Sequence, residues 1–191
     1  MTDDRPLVPV TVVPESVLTA DGAVVTLNNS ARGDARQVLV RPVRDGDGDA
    51  LAEAFLRLSP QSQRQRFGAA PRALGVSALH QLVDTVDGVD HVAFAAFLVE
   101  DPSWLVGVGR ILRYPDEPDT LDVAITVAED YRGTGLGRVL GELLAAHRPR
   151  PARVIRTQIA ASNKPAMALL AVFGGSPRQS GDGDLVIEVN D

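Results

Sequence analysis

The stretch from Leu121 to Leu140, which reads LDVAITVAEDYRGTGLGRVL, constrains the fold of this chain most strongly. It begins with an apolar run rich in β-branched residues, which is typical of a buried strand. A loop with three glycines follows, and the apolar residues then recur with the spacing that marks the buried face of a helix. These residues are Leu136, Val139, Leu140, Leu143 and Leu144. The stretch therefore predicts a strand, a glycine-rich turn and an amphipathic helix in succession.

The glycine-rich loop is a candidate anion site. Gly133, Gly135 and Gly137 stand where the strand ends and the helix begins, and the free N–H groups and positive dipole end of a helix attract phosphate there. Glycine lets the backbone approach a phosphate closely, and Arg132 and Arg138 can add charge-assisted hydrogen bonds. A flexible turn with solvated arginines is the alternative interpretation of the same residues.

Two common phosphate-binding motifs do not fit this loop. A P-loop ends in Gly-Lys-Ser or Gly-Lys-Thr, but Lys164 is the only lysine of the chain. A GxGxxG dinucleotide loop that began at Gly133 would need its last glycine at the position of Arg138. One that began at Gly135 would need it at the position of Leu140. The sequence therefore excludes P-loop nucleotide hydrolysis and dinucleotide binding of the Rossmann type.

The rest of the chain alternates between strand and helix patterns. Because two parallel strands need a crossover of about a dozen residues, the helix after the glycine-rich loop is expected to connect two of them. The sequence predicts a mixed α/β fold with a mostly antiparallel central sheet flanked by helices. Strands are expected at Val38–Val43, His91–Val99, Trp104–Leu112, Leu121–Val127, Val154–Ile159 and Leu185–Val189. Further helices are expected after Asp47, which suits an N-cap, from Ser77 to Asp84 and from Pro165 to Phe173. The polar segment Ser59–Arg66 receives no predicted element.

Residues 1–37 are predicted to be an N-terminal extension of a single domain formed by residues 38–191. A length of 191 residues suits one domain with one core. The extension is rich in Pro, Gly, Asn and Asp, but two β-branched runs, Val8–Val13 and Ala23–Leu27, predict one or two strands in it.

Charge and composition exclude several classes of function. With 19 basic and 25 acidic side chains the net charge is -6, which disfavours nucleic acid as the main partner. The chain has no cysteine and its three histidines lack metal-binding spacing, so no metal site is predicted. His91, at the start of a strand, could contact a substrate, although a core or surface histidine is the commoner case.

The chain is predicted to be cytoplasmic and without membrane contact. Its longest apolar run, Val92–Val99, is far below the roughly 20 residues that cross a bilayer. The first residues are acidic, whereas a secretory signal would begin with basic residues and an apolar segment.

The residues Arg132-Gly133-Thr134-Gly135-Leu136-Gly137 match the RxxGxG pattern of the GCN5-related N-acetyltransferases. Other segments strengthen the resemblance. Leu58-Ser59-Pro60-Gln61-Ser62 through Arg66-Phe67 resembles the bacterial protein-acetyltransferase subgroup, and Ser162–Ala166 before Phe173-Gly174 resembles the C-terminal motif of the family. Val38–Val43 is similar to the first strand of the family, so the resemblance covers roughly residues 38–189.

The resemblance implies acetyl-CoA as the acetyl donor and indicates which residues would bind it. In this family the strand before the loop splays from its neighbour, and its free backbone groups pair with the pantetheine arm. The N–H of Ile125 would then point at the thioester carbonyl, and Asn163 would lie along the arm, although it also suits a helix N-cap. The full set of implied cofactor-binding residues is Ile125, Thr126, Val127, Arg132, Gly133, Thr134, Gly135, Leu136, Gly137, Arg138, Asn163 and Ala166.

Asp122 is the general base that the resemblance implies. Transfer to a primary amine requires an ammonium with a pKa of about 10 to lose a proton. Asp122 stands three residues before Ile125, where the bacterial subgroup carries the longer glutamate, so it can act directly or through water. A surface or edge carboxylate is the alternative. The family tyrosine that protonates the leaving thiolate is replaced by Leu170, and neither Tyr114 nor Tyr131 matches its position.

The predicted function is an N-acetyltransferase in which the amine attacks acetyl-CoA directly, since a chain without cysteine is not expected to form an acyl-enzyme. The acceptor stays open between protein lysines and small-molecule amines such as antibiotics, polyamines and amino acids. The segment from Leu58 to Phe67 tilts the choice toward protein lysine. A homodimer is left open. The alternative is a non-catalytic acyl-CoA-binding or interaction module. Leu170 in place of the family tyrosine would be consistent with such a module.

Overall fold

A computed structural model of the chain describes residues 21–29, 34–67, 73–159, 163–175, 177–179 and 185–189. In chain order these residues form β1 (Ala23–Asn29), β2 (Asp34–Pro42), α1 (Gly48–Arg57), α2 (Pro60–Phe67), α3 (Val76–Leu82), β3 (His91–Leu98), β4 (Leu105–Tyr114), β5 (Glu117–Val127), α4 (Leu136–Ala146), β6 (Val154–Thr157), α5 (Lys164–Leu169), β7 (Arg178–Gln179) and β8 (Leu185–Glu188), with short 3-10 helices at Glu129–Tyr131 and Leu170–Phe173. No helix in these ranges is long and apolar enough to cross a membrane.

The strands form one eight-stranded sheet in the order β1-β2-β3-β4-β5-β6-β8-β7. Neighbouring strands are antiparallel except β5 and β6, which are parallel and are joined by the crossover through α4. The prediction of a mixed, mostly antiparallel sheet flanked by helices is confirmed. The parallel pair lies where the glycine-rich loop and its helix interrupt the series of antiparallel strands.

Helix α4 packs closely on one face of the sheet. Its residues Leu136, Leu140 and Leu144 are completely buried in the main apolar cluster. Gly107 and Gly109 of β4 allow α4 to approach the sheet this closely, because a Cβ at either position would meet a leucine side chain of α4 at 3.0 Å. The start of α4, and with it the glycine-rich loop, is thereby fixed against the centre of the sheet.

The opposite face is covered by α1 and the region of α3. Leu51 of α1 and Val83 pack with Ala95 and Phe97 of β3. Because both faces of β3 are covered, all its residues are buried. A strand buried on both sides needs apolar residues at every position, which explains why the run around it does not alternate with polar residues.

Most predicted elements are present, and the differences have physical reasons. The polar segment Ser59–Arg66 contains α2, which has no apolar stripe and is held by polar contacts such as Gln63 Nε2 to the Phe55 carbonyl at 3.2 Å.

The helix predicted at Pro165–Phe173 is divided into α5 and a 3-10 helix. Strand β6 ends at Thr157, two residues early, and β7 was not predicted. The predicted strand Ala23–Leu27 is present in β1, whereas Val8–Val13 lies outside the described residues.

Asp47 occupies the predicted N-cap position of α1, but its side chain does not cap the helix. Its carboxylate instead accepts two hydrogen bonds from the Arg41 guanidinium, at 2.8 and 2.7 Å, and one from the Arg44 amide at 2.8 Å. Burial raises the pKa of Asp47, but these hydrogen bonds and the nearby positive charges outweigh burial and lower it below 3.8. The ion pair therefore ties β2 to the start of α1.

Candidate functional site

A cavity of about 780 Å³ lies where β5 diverges from β6. Within the described parts of both strands, pairing is limited to Thr120 with Val154 and Leu121 with Ile155. Thr157 Oγ1 then donates a hydrogen bond to the Val123 carbonyl at 2.9 Å, which closes the base of the gap. Beyond this point the last residues of β5 line the cavity, because β6 no longer covers their main-chain groups.

The glycine-rich loop forms one end of this cavity. Gly133 and Gly135 have φ angles of 74° and 91°, in the left-handed region that favours glycine. Thr134 Oγ1 donates to the Tyr131 carbonyl at 2.7 Å and holds the turn in place. Gly135 is the N-cap of α4, and its carbonyl accepts hydrogen bonds from the Arg138 and Val139 amides at 3.0 and 3.1 Å. The amides of Leu136 and Gly137, the first two residues of the helix, therefore have no acceptor within the helix. The loop thus presents backbone donors and the positive end of the α4 dipole.

All but two of the residues predicted for the site line the cavity. The exceptions are Thr134, which is buried in the turn, and Leu136, which is buried in the core. Asn163 lies in the wall and also caps α5, since its Oδ1 accepts a hydrogen bond from the Ala166 amide at 3.3 Å. The predicted residues that line the cavity are Asp122, Ile125, Thr126, Val127, Arg132, Gly133, Gly135, Gly137, Arg138, Asn163 and Ala166.

The two arginines of the loop are held in different surroundings. Arg132 Nη2 donates to Ser62 Oγ at 2.8 Å, which connects the loop to helix α2. Arg138 Nε donates to Glu142 Oε1 at 2.7 Å, one turn further along α4, and its side chain is largely exposed. Both arginines line the cavity, but only the guanidinium of Arg132 is held by a buried partner.

Asp122 lies in the cavity wall and forms an ion pair with Arg110. Its neighbours Leu121 and Val123 belong to the apolar cluster under α4, so the side chain of Asp122 projects from the opposite face of β5. There its Oδ2 is 3.7 Å from Arg110 Nη2 of β4, and both side chains are mostly buried. The carboxylate is therefore mostly buried in the cavity wall beside a cationic side chain.

His91 is buried on the same face of the sheet as Arg110. Its Nδ1 shares a hydrogen bond with Thr85 Oγ1 at 2.9 Å. Burial, and then the positive charge of Arg110, lower the pKa of His91, so the ring is neutral at pH 7. His91 is not part of the cavity wall, which favours its interpretation as a core histidine.

In the part of the chain that the structure describes, no three or more His, Cys, Asp or Glu side chains come together in a group that could hold a metal ion.

The cavity wall also contains residues to which the sequence assigned no role in the site. Tyr114 and Tyr131, which do not match the family tyrosine, both line the cavity, and so does Ser62 of α2. Leu170, at the position of that tyrosine, is buried and lines the wall as well. Tyr131 could have been found from its place beside the glycine-rich loop, whereas Tyr114 reaches the cavity only through the pairing of β4 with β5.

Sequence comparisons relate the chain to known acetyltransferases. Residues 72–174 match the model of the acetyltransferase (GNAT) family. Acetyltransferase PA5475 of Pseudomonas aeruginosa is 35% identical over 108 residues, which are 56% of this chain and 57% of that protein. The chain thus spans little more than half the length of this relative.

Solved structures share the fold. The GNAT domain of S. lividans PAT superposes with a TM-score of 0.71 and 24% identity over 87% of this chain and 94% of that one. The yncA structure from Salmonella typhimurium, solved with its cofactor acetyl-CoA, has a TM-score of 0.62 and 13% identity over 81% of this chain and 95% of that one. With a family model that matches more than half of its length and a fold shared with GNAT structures, the chain belongs to the acetyltransferase (GNAT) family, as its motifs predicted.

Proposed function

We propose that the chain transfers the acetyl group of acetyl-CoA to a primary amine. The observation that supports this proposal best is the cavity between β5 and β6, which brings two kinds of wall together. One wall, the cofactor wall, consists of the backbone of β5 from Ile125 to Val127 and the loop from Arg132 to Arg138. The other, the acceptor wall, contains the carboxylate of Asp122.

The cofactor wall has the chemistry that a CoA thioester requires. Loop amides at the start of α4, together with Arg132 and Arg138, suit a pyrophosphate. The main chain of β5 that is not covered by β6 suits the amides of a pantetheine arm. The Ile125 N–H would stabilise negative charge that develops on the thioester oxygen. A volume of about 780 Å³ falls in the usual range for cofactor and ligand pockets.

The acceptor wall supplies proton transfer. Asp122, held by Arg110, would accept the proton that the ammonium group must lose, directly or through one water. The amine nitrogen then bonds to the acetyl carbon while the carbon–sulfur bond breaks. A thiol like that of coenzyme A has a pKa near 8.5, so the sulfur can leave as a thiolate. Water, or the hydroxyl of Tyr114 or Tyr131, would then protonate it in place of the tyrosine that Leu170 replaces.

The acceptor is proposed to be a cationic primary amine. The net charge of -6 favours encounter with cationic molecules in general. Within this class, the similarity of Leu58–Phe67 to the protein-acetyltransferase subgroup favours a protein lysine. A homodimer and a cytoplasmic location stay predictions from the sequence.

An acceptor panel tests the proposed activity. Release of free thiol from acetyl-CoA would be measured with polyamines, aminoglycosides, amino acids and a bacterial acyl-CoA synthetase as acceptors, and the acetylated product would be identified by mass. We expect saturable release with at least one acceptor and formation of one amide per thiol. If acetyl-CoA binds but no acceptor in the panel releases thiol, the chain is a non-catalytic acyl-CoA-binding module.

We also propose that residues 38–191 form the transferase domain and that residues 1–37 extend it. Strand β1 pairs with β2 at the edge of the sheet, far from the cavity in strand order. Deletion of residues 1–20, which ends before β1 begins, should leave acetyl-CoA affinity within about twofold of wild type. A larger loss would assign that segment to the cofactor site or to the core.

A further inference from the structure

Helix α2 is connected to the glycine-rich loop by a group of polar side chains, which we call the serine–glutamate cluster. It consists of Ser59, Ser62, Glu129 and Arg132. Ser62 Oγ lies at its centre, 2.6 Å from Glu129 Oε1 and 2.8 Å from Arg132 Nη2. Glu129 Oε1 also accepts a hydrogen bond from the Ser59 amide at 3.1 Å. Ser62 is only 6% exposed and lines the cavity, so the cluster lies between α2 and the proposed pyrophosphate site.

Charge fixes the direction of these hydrogen bonds. A guanidinium can only donate and an ionised carboxylate can only accept, so the single proton of Ser62 goes to Glu129 and its lone pair accepts from Arg132. Burial raises the pKa of Glu129, but hydrogen bonds from Ser62 and Ser59 and the charge of Arg132 outweigh it and lower the pKa overall. Glu129 is therefore ionised at neutral pH, and Ser62 joins it to Arg132.

The guanidinium of Arg132 is restrained on more than one side. Its Nη2 is 3.5 Å from Glu129 Oε1, and its Nε donates to the Val127 carbonyl at 3.4 Å. Arg138, the other arginine of the loop, is paired with Glu142 on the exposed side of α4. The side chain with a buried serine partner is thus the one whose orientation beside the loop amides is fixed.

We infer that Ser62 and Glu129 are positioning residues for Arg132 and that they make helix α2 part of the pyrophosphate site. This inference rests on the proposed function. A guanidinium held in place before the ligand arrives loses less conformational entropy on binding a phosphate than a free one does. Glu129 also repels an anion, so its removal combines two opposite effects. Ser62→Ala removes the positioning contact and keeps the negative charge, which makes Ser62 the cleaner site for a test.

The test is a double-mutant cycle on cofactor affinity. Dissociation constants for acetyl-CoA and for acetyl-pantetheine, which lacks the pyrophosphate, would be measured by calorimetry for wild type, Ser62→Ala, Arg132→Ala and the double variant. We expect Ser62→Ala to weaken acetyl-CoA binding on the order of fivefold, which corresponds to the entropy cost of immobilising one long side chain on binding. Acetyl-pantetheine should bind as before, and Ser62→Ala should add nothing to Arg132→Ala.

Two further variants serve as controls. Ser62→Thr keeps the hydroxyl and should retain wild-type affinity for acetyl-CoA. Ser103→Ala removes a serine that also donates to a carboxylate at 2.6 Å, that of Asp101, but in an exposed turn. It should change neither dissociation constant.

The possible results separate this inference from the proposed function. If wild type does not bind acetyl-CoA, the proposed function and the inference are both wrong. If it binds acetyl-CoA no better than acetyl-pantetheine, the loop does not recognise the pyrophosphate, and the positioning role is wrong. If wild type prefers acetyl-CoA and Ser62→Ala keeps this preference in full, only the positioning role is wrong. Equal weakening of both ligands, or an undiminished effect of Ser62→Ala when Arg132 is absent, would make Ser62 a structural residue and overturn the inference.

Discussion

The cofactor wall and the acceptor wall of the cavity are built in different ways. The cofactor wall consists of two stretches that are close in the sequence, Ile125 to Val127 and Arg132 to Arg138, and it offers backbone groups and two arginines. The acceptor wall is assembled from side chains on separate strands, including Tyr114 of β4 and Asp122 of β5. A wall made of local backbone depends on glycine and on helix geometry, whereas a wall made of distant side chains depends on ion pairs and strand pairing. Substitutions in the two walls should therefore fail in different ways.

The largest expected effect is on the cofactor wall, from Gly135→Asp. At a φ of 91° the backbone disfavours any side chain, and the carboxylate would place negative charge where the pyrophosphate is proposed to bind. We expect calorimetry to detect no binding of acetyl-CoA. Gly88→Asp is the matched control, because Gly88 also has a positive φ, of 72°, but lies in a turn away from the cavity. Wild-type affinity in Gly135→Asp would refute the loop assignment.

The next largest effect is on the acceptor wall, from Asp122→Asn. Asparagine has the same size but cannot take the proton of the amine, so kcat should fall by about 10² to 10⁴ while acetyl-CoA affinity stays nearly unchanged. The loss should shrink as the pH approaches the pKa of the acceptor, because more free amine is then present. Asp119→Asn, at an exposed position of the same strand, is the control. A joint loss of turnover and cofactor binding would instead assign Asp122 a structural role.

A smaller effect, on stability, is expected from Asp47→Asn, which leaves Arg41 without its charged partner on the face of the sheet that α1 covers, the face from which Asp122 also projects. Loss of one partner from a mostly buried ion pair should lower the free energy of unfolding by about 2 to 4 kcal/mol at pH 7. Because the folded pKa of Asp47 lies below 3.8, the stabilisation is complete well above that value and is lost as the pH falls through the folded pKa.

Urea denaturation across this pH range provides the measurement. The difference between wild type and Asp47→Asn should be full at neutral pH and should shrink below pH 3.8. Asp45→Asn, in the exposed turn before α1, should behave like wild type. A difference that does not depend on pH would show that the charge of Asp47 is not what stabilises this face.

The smallest effect is expected from Thr157→Val at the point where the strands diverge. The substitution removes the hydrogen bond to the Val123 carbonyl and leaves that buried acceptor unpaired, which should cost about 1 to 2 kcal/mol of stability. Acetyl-CoA affinity should fall less than tenfold, because the loop is untouched. Thr157→Ser keeps the hydroxyl and should restore both properties. Unchanged stability in Thr157→Val would show that this bond does not hold the strands together.

The contrast between the walls also explains what the sequence could predict. The cofactor wall was readable because the spacing of Gly133, Gly135 and Gly137 and the apolar stripe of α4 are local features. Of the acceptor wall, only Asp122 was predicted from the sequence, and that prediction depended on the family resemblance. Tyr114, which lines the cavity, pairs with Glu117 of β5 after a register shift, and no local pattern encodes that shift.

Helix α2 was missed for a related reason. Sequence periodicity detects helices that bury an apolar stripe, whereas α2 is fixed by polar contacts of Ser62 and Gln63 to the loop and to α1. Asp47 shows the same limit, since its cap position was predicted but its ion pair with Arg41 depends on the tertiary approach of β2 and α1. Where the decisive contacts join distant side chains, the sequence indicated the position and the fold determined the role.

A crystal structure of the wild-type chain with acetyl-CoA would show directly whether the cofactor lies in the gap between β5 and β6. We expect the pyrophosphate within about 3.2 Å of the backbone amides between Gly133 and Arg138, which is hydrogen-bond distance. The pantetheine arm should pair with the main chain of Ile125 and Val127 in the gap between β5 and β6, with the thioester toward Asp122. A cofactor bound outside this gap, or a pyrophosphate that makes no contact with the loop amides, would show that the cofactor wall is wrongly assigned.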